Sequence, residues 1–376
     1  MAGGSGAVQD SNTLGNPSGF GSDAGTPMPA ERVTMSQLAA RLGVSKNTIS
    51  LALRHDPRVS AATRQRVQRL AEQLGYAKNP VVAQLMAELR KTQPAGYQRT
   101  FALLNAHRER DAFRAHHSVP SYVEGCRRRA ALNGYRFDEF WLHDPELNAE
   151  RLERILRARG IRGAIVVGLF GQNRLPERFA SIWKAHACVV TGVRTQAPTL
   201  SFSCVDHHEL VLEAFAEAVK LGYERPALVL EHRVDELVDG RFTAGMWTGQ
   251  QALPASRRLP AYVDVDAETP DHPRFTAWFK RHQPDVILTL HSNVKKWVED
   301  LGLRVPRDLG LIHLERDRLT GDWAGMDQHN DLAAEAAVDM LVSMLHNNEL
   351  GAPTTPRATL ISASWTPGKT VRAVKK

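Results

Sequence analysis

The sequence is short of cysteine: Cys126, Cys188 and Cys204 stand far apart in 376 residues. Thiols so few and so scattered exclude a disulfide-stapled secreted scaffold. They fit a reducing compartment, where they serve as small core residues. Long hydrophobic runs are lacking as well. None approaches the roughly 18–20 residues that a bilayer span requires, so no membrane association is expected. The start of the chain has no basic stretch followed by an apolar one, so no signal peptide is expected and the predicted location is cytoplasmic. Enzyme signatures are missing too. There is no GxxxxGK[ST], no HExxH and no GxSxG, and "GLFGQN" lacks the spacing of a dinucleotide loop. The neighbours His116-His117 and His207-His208 would point apart on a helix or strand. No catalytic activity, cofactor or metal is therefore expected.

Basic residues are absent from 1–31, which hold Asp10, Asp23 and Glu31 for a net of −3. They crowd into 32–91, where eleven basic side chains face Asp56, Glu72 and Glu88, a net of +8. Residues 92–376 carry only +2 of the overall +7. A strongly basic segment on a nearly neutral body is an electrostatic footprint for phosphates.

Composition divides the chain. Residues 1–31 are rich in Gly, Ser, Pro and Asn and poor in aliphatics, which predicts a disordered tail. Residues 32–78 read as three short helices. Thr34 with Gln37 forms a capping box, Leu38, Ala39 and Leu42 make an inner face, and Gly43 is the stop. Ser45 caps a second helix over 46–54, and Asp56-Pro57 breaks the chain. Ser60 caps a third helix, with Val67, Leu70, Ala71 and Leu74 on one face and Gly75 as its stop. Two helices joined by a tight glycine turn are a helix-turn-helix. A short helix-prone segment follows at 79–91 and a linker at 92–99. Beyond it, strands near 100–105, 135–141, 163–168, 187–191, 226–231, 261–265, 285–290 and 309–313 alternate with amphipathic helices. That rhythm predicts an α/β body of two parallel-sheet lobes over 100–368, then a tail at 369–376.

The stretch "GVSKNTISLAL", 43–53, sets Lys46, Asn47, Thr48 and Ser50 in the first turns of a helix with a short apolar stripe. A helix built only to bury a face has no need of them. In a helix-turn-helix these turns enter the major groove. Asn47 can pair bidentately with adenine, and Lys46 can reach guanine acceptors or a phosphate. Ser45 and Thr48 suit phosphate contact or capping, and Leu51 suits apolar contact such as a thymine methyl.

The run "VTMSQLAARLGVSKNTISLALRHDPRVSAATRQRVQRLAEQLGYAKN" resembles the DNA-binding headpiece of the LacI/GalR family of transcriptional regulators. The V-T, L-A, G-V-S, T-I-S, V-S-x-x-T-R and L-G-Y elements recur in order. "VDHHELVLEAFAEAVKLGYERPALV" and "VPRDLGLIHLER" are looser echoes in the body. The resemblance implies a headpiece, a hinge helix and a two-lobed periplasmic-binding-protein-like effector domain. It implies a homodimer on a near-palindromic operator in double-stranded DNA, a repressor's role, and control by a small molecule, a sugar being one candidate. It also implies that 79–91 is the hinge, with Leu85 as the residue wedged between base steps of the minor groove. Leu51 departs from the family, which often has Arg there. No leucine heptad follows near residue 370, so no tetramer-forming tail is expected. A sugar-binding receptor without a regulatory role, or an enzyme on an α/β body, is the alternative.

If the body is two lobes, polar residues at the C-terminal ends of strands should line the cleft between them. The candidates are Asn105, His107, Phe170, Arg194, Asp206, Arg241, His291, Ser292, Glu315 and Gln328. Glu315 falls where many relatives carry Asp. In "DGRFTAGMW" relatives place Arg where this chain has Phe242, with Arg241 one step earlier. A loop shift delivers Arg241 to the cleft, whereas a continuous helix aims it about 100° away.

Overall fold

The computed structural model describes residues 33, 35–53, 56–74, 76, 99–265, 273–317 and 320–373. The expected tail at 1–31, the capping Thr34, the stop Gly75 and the hinge at 79–91 with Leu85 lie outside the described residues, as do the side chains of Ser36 and Asn47.

The headpiece comprises α1 (Met35–Leu42), α2 (Lys46–Ala52) and α3 (Ala61–Gln73). Its stops and starts follow local chemistry. Gly43 turns the chain at φ +66°, which a side chain would resist. The Ser45 hydroxyl accepts the Thr48 N–H at 3.0 Å, and Ser60 accepts that of Thr63 at 3.2 Å. Both caps stand where the sequence puts them. Leu38, Ile49, Ala52, Val59 and Val67 close a small core, with Leu42, Leu51, Leu70 and Leu74 packed around it.

The body is two α/β lobes. The N-lobe sheet contains β1 (Arg99–Asn105), β2 (Tyr135–Trp141), β3 (Gly163–Val167), β4 (Ala187–Thr191), β5 (Ser201–Val205) and β10 (Ala358–Ile361). They run in the order β2-β1-β3-β4-β5-β10, every pair parallel. The C-lobe sheet contains β6 (Pro226–Val229), β7 (Val286–Thr289), β8 (Gly310–His313), β9 (Ala324–Asp327) and β11 (Ser364–Thr366), with only β11 antiparallel. Strands β3 to β5 are buried throughout because helices cover both faces. One face carries α5 (Val119–Leu132) and α13 (Asn330–His346). The other meets α6 (Ala149–Ala158) and α7 (Ala180–Ala185). The short α4 (Ala112–Ala115) precedes α5. In the C-lobe, α8 (His207–Lys220) packs on α10 (Arg241–Gln250), with α9 (His232–Leu237) just before it. Opposite them, α11 (Pro273–His282) and α12 (Val294–Asp300) bury Phe275, Phe279 and Trp297 against the sheet.

The chain crosses between lobes three times: from β5 into α8, from β9 into α13, and from β10 into β11. These crossings hold the C-terminal ends of both sheets face to face.

Two expectations need correction. Residues 261–265 form no strand and pair only through single bridges, Val229 with Tyr262 and Glu231 with Asp264. Nor does the body stop at 368. The Thr370 hydroxyl donates to the Leu311 carbonyl at 2.7 Å and accepts the Ala324 N–H, Val371 is buried, and the Arg372 N–H donates to the Tyr223 hydroxyl. A mostly polar ending read as a tail because its hydrogen-bond partners are distant in sequence.

Candidate nucleic-acid interface and interlobe cleft

On the headpiece, α2 turns Ile49 and Ala52 fully inward and leaves Lys46 exposed. Thr48, Ser50 and Leu51 are half-buried. The hydroxyls of Ser45 and Thr48 lie 2.9 Å apart and bond each other, so capping is a role they already fill. Leu51 packs partly on the headpiece core, which limits what it can offer a thymine. The loop between α2 and α3 is clasped by Arg58, whose Nε and Nη2 donate to the Asp56 carboxylate at 2.9 and 2.8 Å. This pairing holds the Asp56 carboxyl well below the usual range. Arg64 adds a bond to the Asp56 carbonyl. The clasp stiffens the headpiece without using the first turn of α2.

In the body, the ends of the strands meet at a cleft whose inner part is polar. Glu315, after β8, accepts a bond from Asn330 Nδ2 at 2.9 Å on α13. Tyr122 on α5 lies against Gly192 after β4, and its hydroxyl proton is held more tightly than usual by burial and by the nearby Glu315. Arg241 begins α10, and its Nη1 lies 3.8 Å from the Cys204 sulfur on β5. Arg241 therefore reaches from one lobe to the other. It starts the helix after a left-handed Gly240, so the bend, not the helical wheel, decides its direction. Arg194 stands 3.8 Å from Asp239 and over the Phe202 ring.

Histidines ring the same cleft. His291 and His313 are each pushed down to about 4, and so is His116, in every case first by burial. His207, at the start of α8, is pushed down to about 3 by burial and then by Arg241. All four are neutral at pH 7. His313 Nε2 lies 3.3 Å from the Ser292 hydroxyl, and His291 Nε2 accepts the Glu231 N–H. Ser118 Oγ, His207 Nδ1 and Asn330 Oδ1 are buried with no hydrogen-bond partner among the described residues. They sit where α5, α8 and α13 begin, and such orphaned atoms are costly unless something else satisfies them.

At the cleft mouth is a cavity of about 320 Å³ between the loops 106–109 and 168–176 of the N-lobe and 231–234 of the C-lobe. His107 and Phe170 line it. Arg233 bridges the lobes here, with Nε and Nη2 donating to the Gly171 carbonyl at 3.0 and 2.6 Å.

Thus His107, Phe170, Arg194, Arg241, His291, Ser292 and Glu315 gather around the cleft. Three others are committed elsewhere. The buried Asn105 amide accepts the His107 N–H and donates to the carbonyls of Glu109 and Arg110, so it builds the loop that carries His107. Gln328 is buried and donates to the Leu314 carbonyl. Asp206 caps α8 through the N–H groups of His208 and Glu209. Sequence reading missed Tyr122, Asn330, His313 and Arg233. Tyr122 and His313 look like core residues, and only the fold shows which core they face.

Residues 34–79 match the model of the bacterial regulatory proteins of the lacI family. An HTH-type transcriptional regulator of Mycobacterium tuberculosis, Rv3575c, is 39% identical over 71 residues, which is 19% of this chain and 19% of that protein. That match thus spans about a fifth of the curated relative's length. Among solved structures, the transcriptional regulator CelR in complex with cellobiose superposes with a TM-score of 0.56 at 18% identity, covering 90% of this chain and all of that one. The lac repressor dimer bound to operator and the anti-inducer ONPF gives 0.53 at 18%, covering 91% of this chain and all of that one. These likenesses show the fold of the two lobes.

Proposed function

We propose that this chain, whose residues 34–79 match the lacI family of bacterial regulatory proteins, is a transcriptional regulator of that family and acts in the cytoplasm as a dimeric repressor. Its operator is a near-palindrome in double-stranded DNA, and its affinity for that operator is shifted by a small molecule in the interlobe cleft. The observation that carries the reading is α2 itself: a capped helix, locked on one face into a closed core, with Lys46 exposed in its first turn. Lys46 and Asn47 are the base-reading residues. Ser45, Thr48 and Ser50 serve the phosphates and the cap, and Leu51 adds apolar contact. Leu85, on the segment between headpiece and body, is the minor-groove wedge. On the ligand side the contacts are His107, Phe170, Arg194, Arg241, His291, Ser292 and Glu315, with Tyr122 and Asn330. The CelR structure, similar in fold, is a complex with cellobiose, which supports a small-molecule ligand. A ligand moves the equilibrium only as far as it prefers one lobe arrangement, and side chains such as Arg241 and Arg233 that span both lobes supply that preference.

The test is selection of bound duplexes from a random DNA library by the purified chain and by its Asn47→Ala and Leu85→Ala variants. The expected result is an enriched near-palindrome with a flexible pyrimidine–purine step at its centre. Asn47→Ala relaxes one position in each half-site. Leu85→Ala weakens specific binding far more than nonspecific binding. Enrichment of nothing above background, with and without a ligand library, overturns the reading.

A further inference from the structure

The cavity at the cleft mouth has features that a neutral ligand would leave unused. Phe170 is 37% exposed there, a large apolar ring facing the space between the lobes. It is backed by His116, stacked at 4.7 Å and 21°, and His116 by His117 at 4.1 Å and 26°. His107 meets His116 edge-on at 5.0 Å. The stack holds Phe170 rigid, and a rigid aromatic plate suits another planar ring in offset or edge contact.

Charge surrounds the plate. Arg108 and Arg174 line the cavity from the N-lobe, and neither guanidinium has a hydrogen-bond or ion-pair partner among the described residues. Arg233 lines it from the C-lobe and is engaged by the Gly171 carbonyl. Two carboxylates, Glu109 and Glu231, also line it and have no ion-pair partner among the described residues. The histidines are engaged: His107 Nδ1 accepts the Glu109 N–H, and His143 Nε2 donates to the Ala106 carbonyl. So the cavity offers three guanidinium groups against two carboxylates. Two of those guanidinium groups stand on the same lobe with their donors unpaired among the described residues. A planar fork of N–H donors matches a carboxylate or a phosphate, and the pairing strengthens where water is partly excluded. A volume of about 320 Å³ lies at the small end of ligand sites, which suits a single ring rather than a chain of sugars.

We propose that this cavity takes a planar ring bearing an acid group. The acid lies on Arg108 and Arg174, the ring against Phe170, and a hydrogen-bond donor at the far end of the ring, a hydroxyl or amine, on Glu231 of the opposite lobe. A ligand so placed touches both lobes and binds their closed arrangement better than any other, which makes it an effector. This ligand class rests on reading the chain as a ligand-controlled regulator.

The test uses calorimetric titration of the full chain with a panel of ring acids (benzoate, 4-hydroxybenzoate, nicotinate and phenyl phosphate), each beside its uncharged amide or alcohol, and with cellobiose and ribose. At least one acid should bind about tenfold or more tighter than its neutral counterpart. The Arg108→Ala/Arg174→Ala double variant should lose that preference while keeping its melting temperature. Phe170→Ala should weaken acid and neutral ring alike, and Glu231→Gln should weaken only rings that carry the far donor. The proposal is overturned if no acid outbinds its neutral partner, or if cellobiose or ribose binds and the double variant binds it equally well. The DNA selection is run on the same preparation. Operator enrichment without acid binding removes the ligand class and leaves the regulator. Acid binding without enrichment removes the regulator and leaves the site.

Discussion

The contact between α5 and α13 invites a severe test at Gly125. A methyl group there would lie 2.8 Å from both the Cα and the carbonyl carbon of Asp331, and closer still to its oxygen. Ordinary contact begins at 3.4 Å. Backbone cannot swing aside as a side chain can, so Gly125→Ala must part the two helices. A gap of about 0.5–1 Å forfeits a quarter to a half of the dispersion attraction across it. The seam at risk is built of small side chains, Cys126 and Ala130 on α5 against Ala333, Ala334 and Ala337 on α13, all buried. Arg128 also crosses it, to Asp331 and Glu335 at 2.7 and 2.6 Å, but these pairs are part-exposed and add little. Overpacking of this kind costs about 3 kcal/mol, the upper end of its usual range. Differential scanning calorimetry of the full chain should show a melting temperature lower by roughly 5 °C. Glu124→Ala, at an exposed neighbour on the same helix, should stay within about 0.5 kcal/mol of the parent. There is a functional consequence too. Tyr122 and Asn330 flank the seam and face the cleft, so the variant should also bind its effector more weakly. A Gly125→Ala protein that melts within about 1 °C of the parent would refute the claim that the helices touch backbone to backbone.

Three further outcomes follow from the same contacts. Ser60→Ala removes the cap of α3 and should cost about 1 kcal/mol, seen as faster amide exchange over 61–66 with the body unchanged. Arg225 donates to the carbonyls of Gln283, Ser256 and His282 at 2.9, 3.1 and 2.6 Å. Arg225→Ala strands those acceptors and should cost about 2 kcal/mol in the C-lobe, measured by urea unfolding. His313 is held down to about 4 from its ordinary 6.5 by burial, so the native state prefers its neutral form. Its contribution is whole above pH 6.5 and is lost as pH falls from 6.5 toward 4, because the unfolded chain takes up the proton first. That loss totals about 3 kcal/mol. His313→Asn should flatten the fall of melting temperature over that interval, and an unchanged slope would show that His313 does not carry it.

The sequence alone determined whatever depends on near neighbours in the chain. The caps at Ser45 and Ser60, the turn at Gly43 and the inward faces of the headpiece helices are decided within a few residues, so they stand where they were expected. The parallel strands over 163–167 and 187–191 were legible because both faces are buried and the apolar run is unbroken. A strand of polar composition was not. Ser201–Val205 reads as polar, yet the Ser201 hydroxyl accepts the N–H of Arg357, 156 residues away. Nothing local announces such a partner. The cleft shows the same division. Proximity to strand ends picked out Glu315, Arg241 and Phe170. It could not reveal that Asn105 and Asp206 spend their polar atoms on their own loop and helix and Gln328 on the Leu314 carbonyl, because a side chain's free valences are known only once its neighbours are placed. Tertiary structure alone decided that Tyr122, Asn330 and His313 face the cleft, that Arg233 crosses it, and that Thr370, Val371 and Arg372 close the C-lobe core. Each depends on three chain crossings between lobes, and the entropy of closing those long loops is repaid by packing far from any of the residues they bring together.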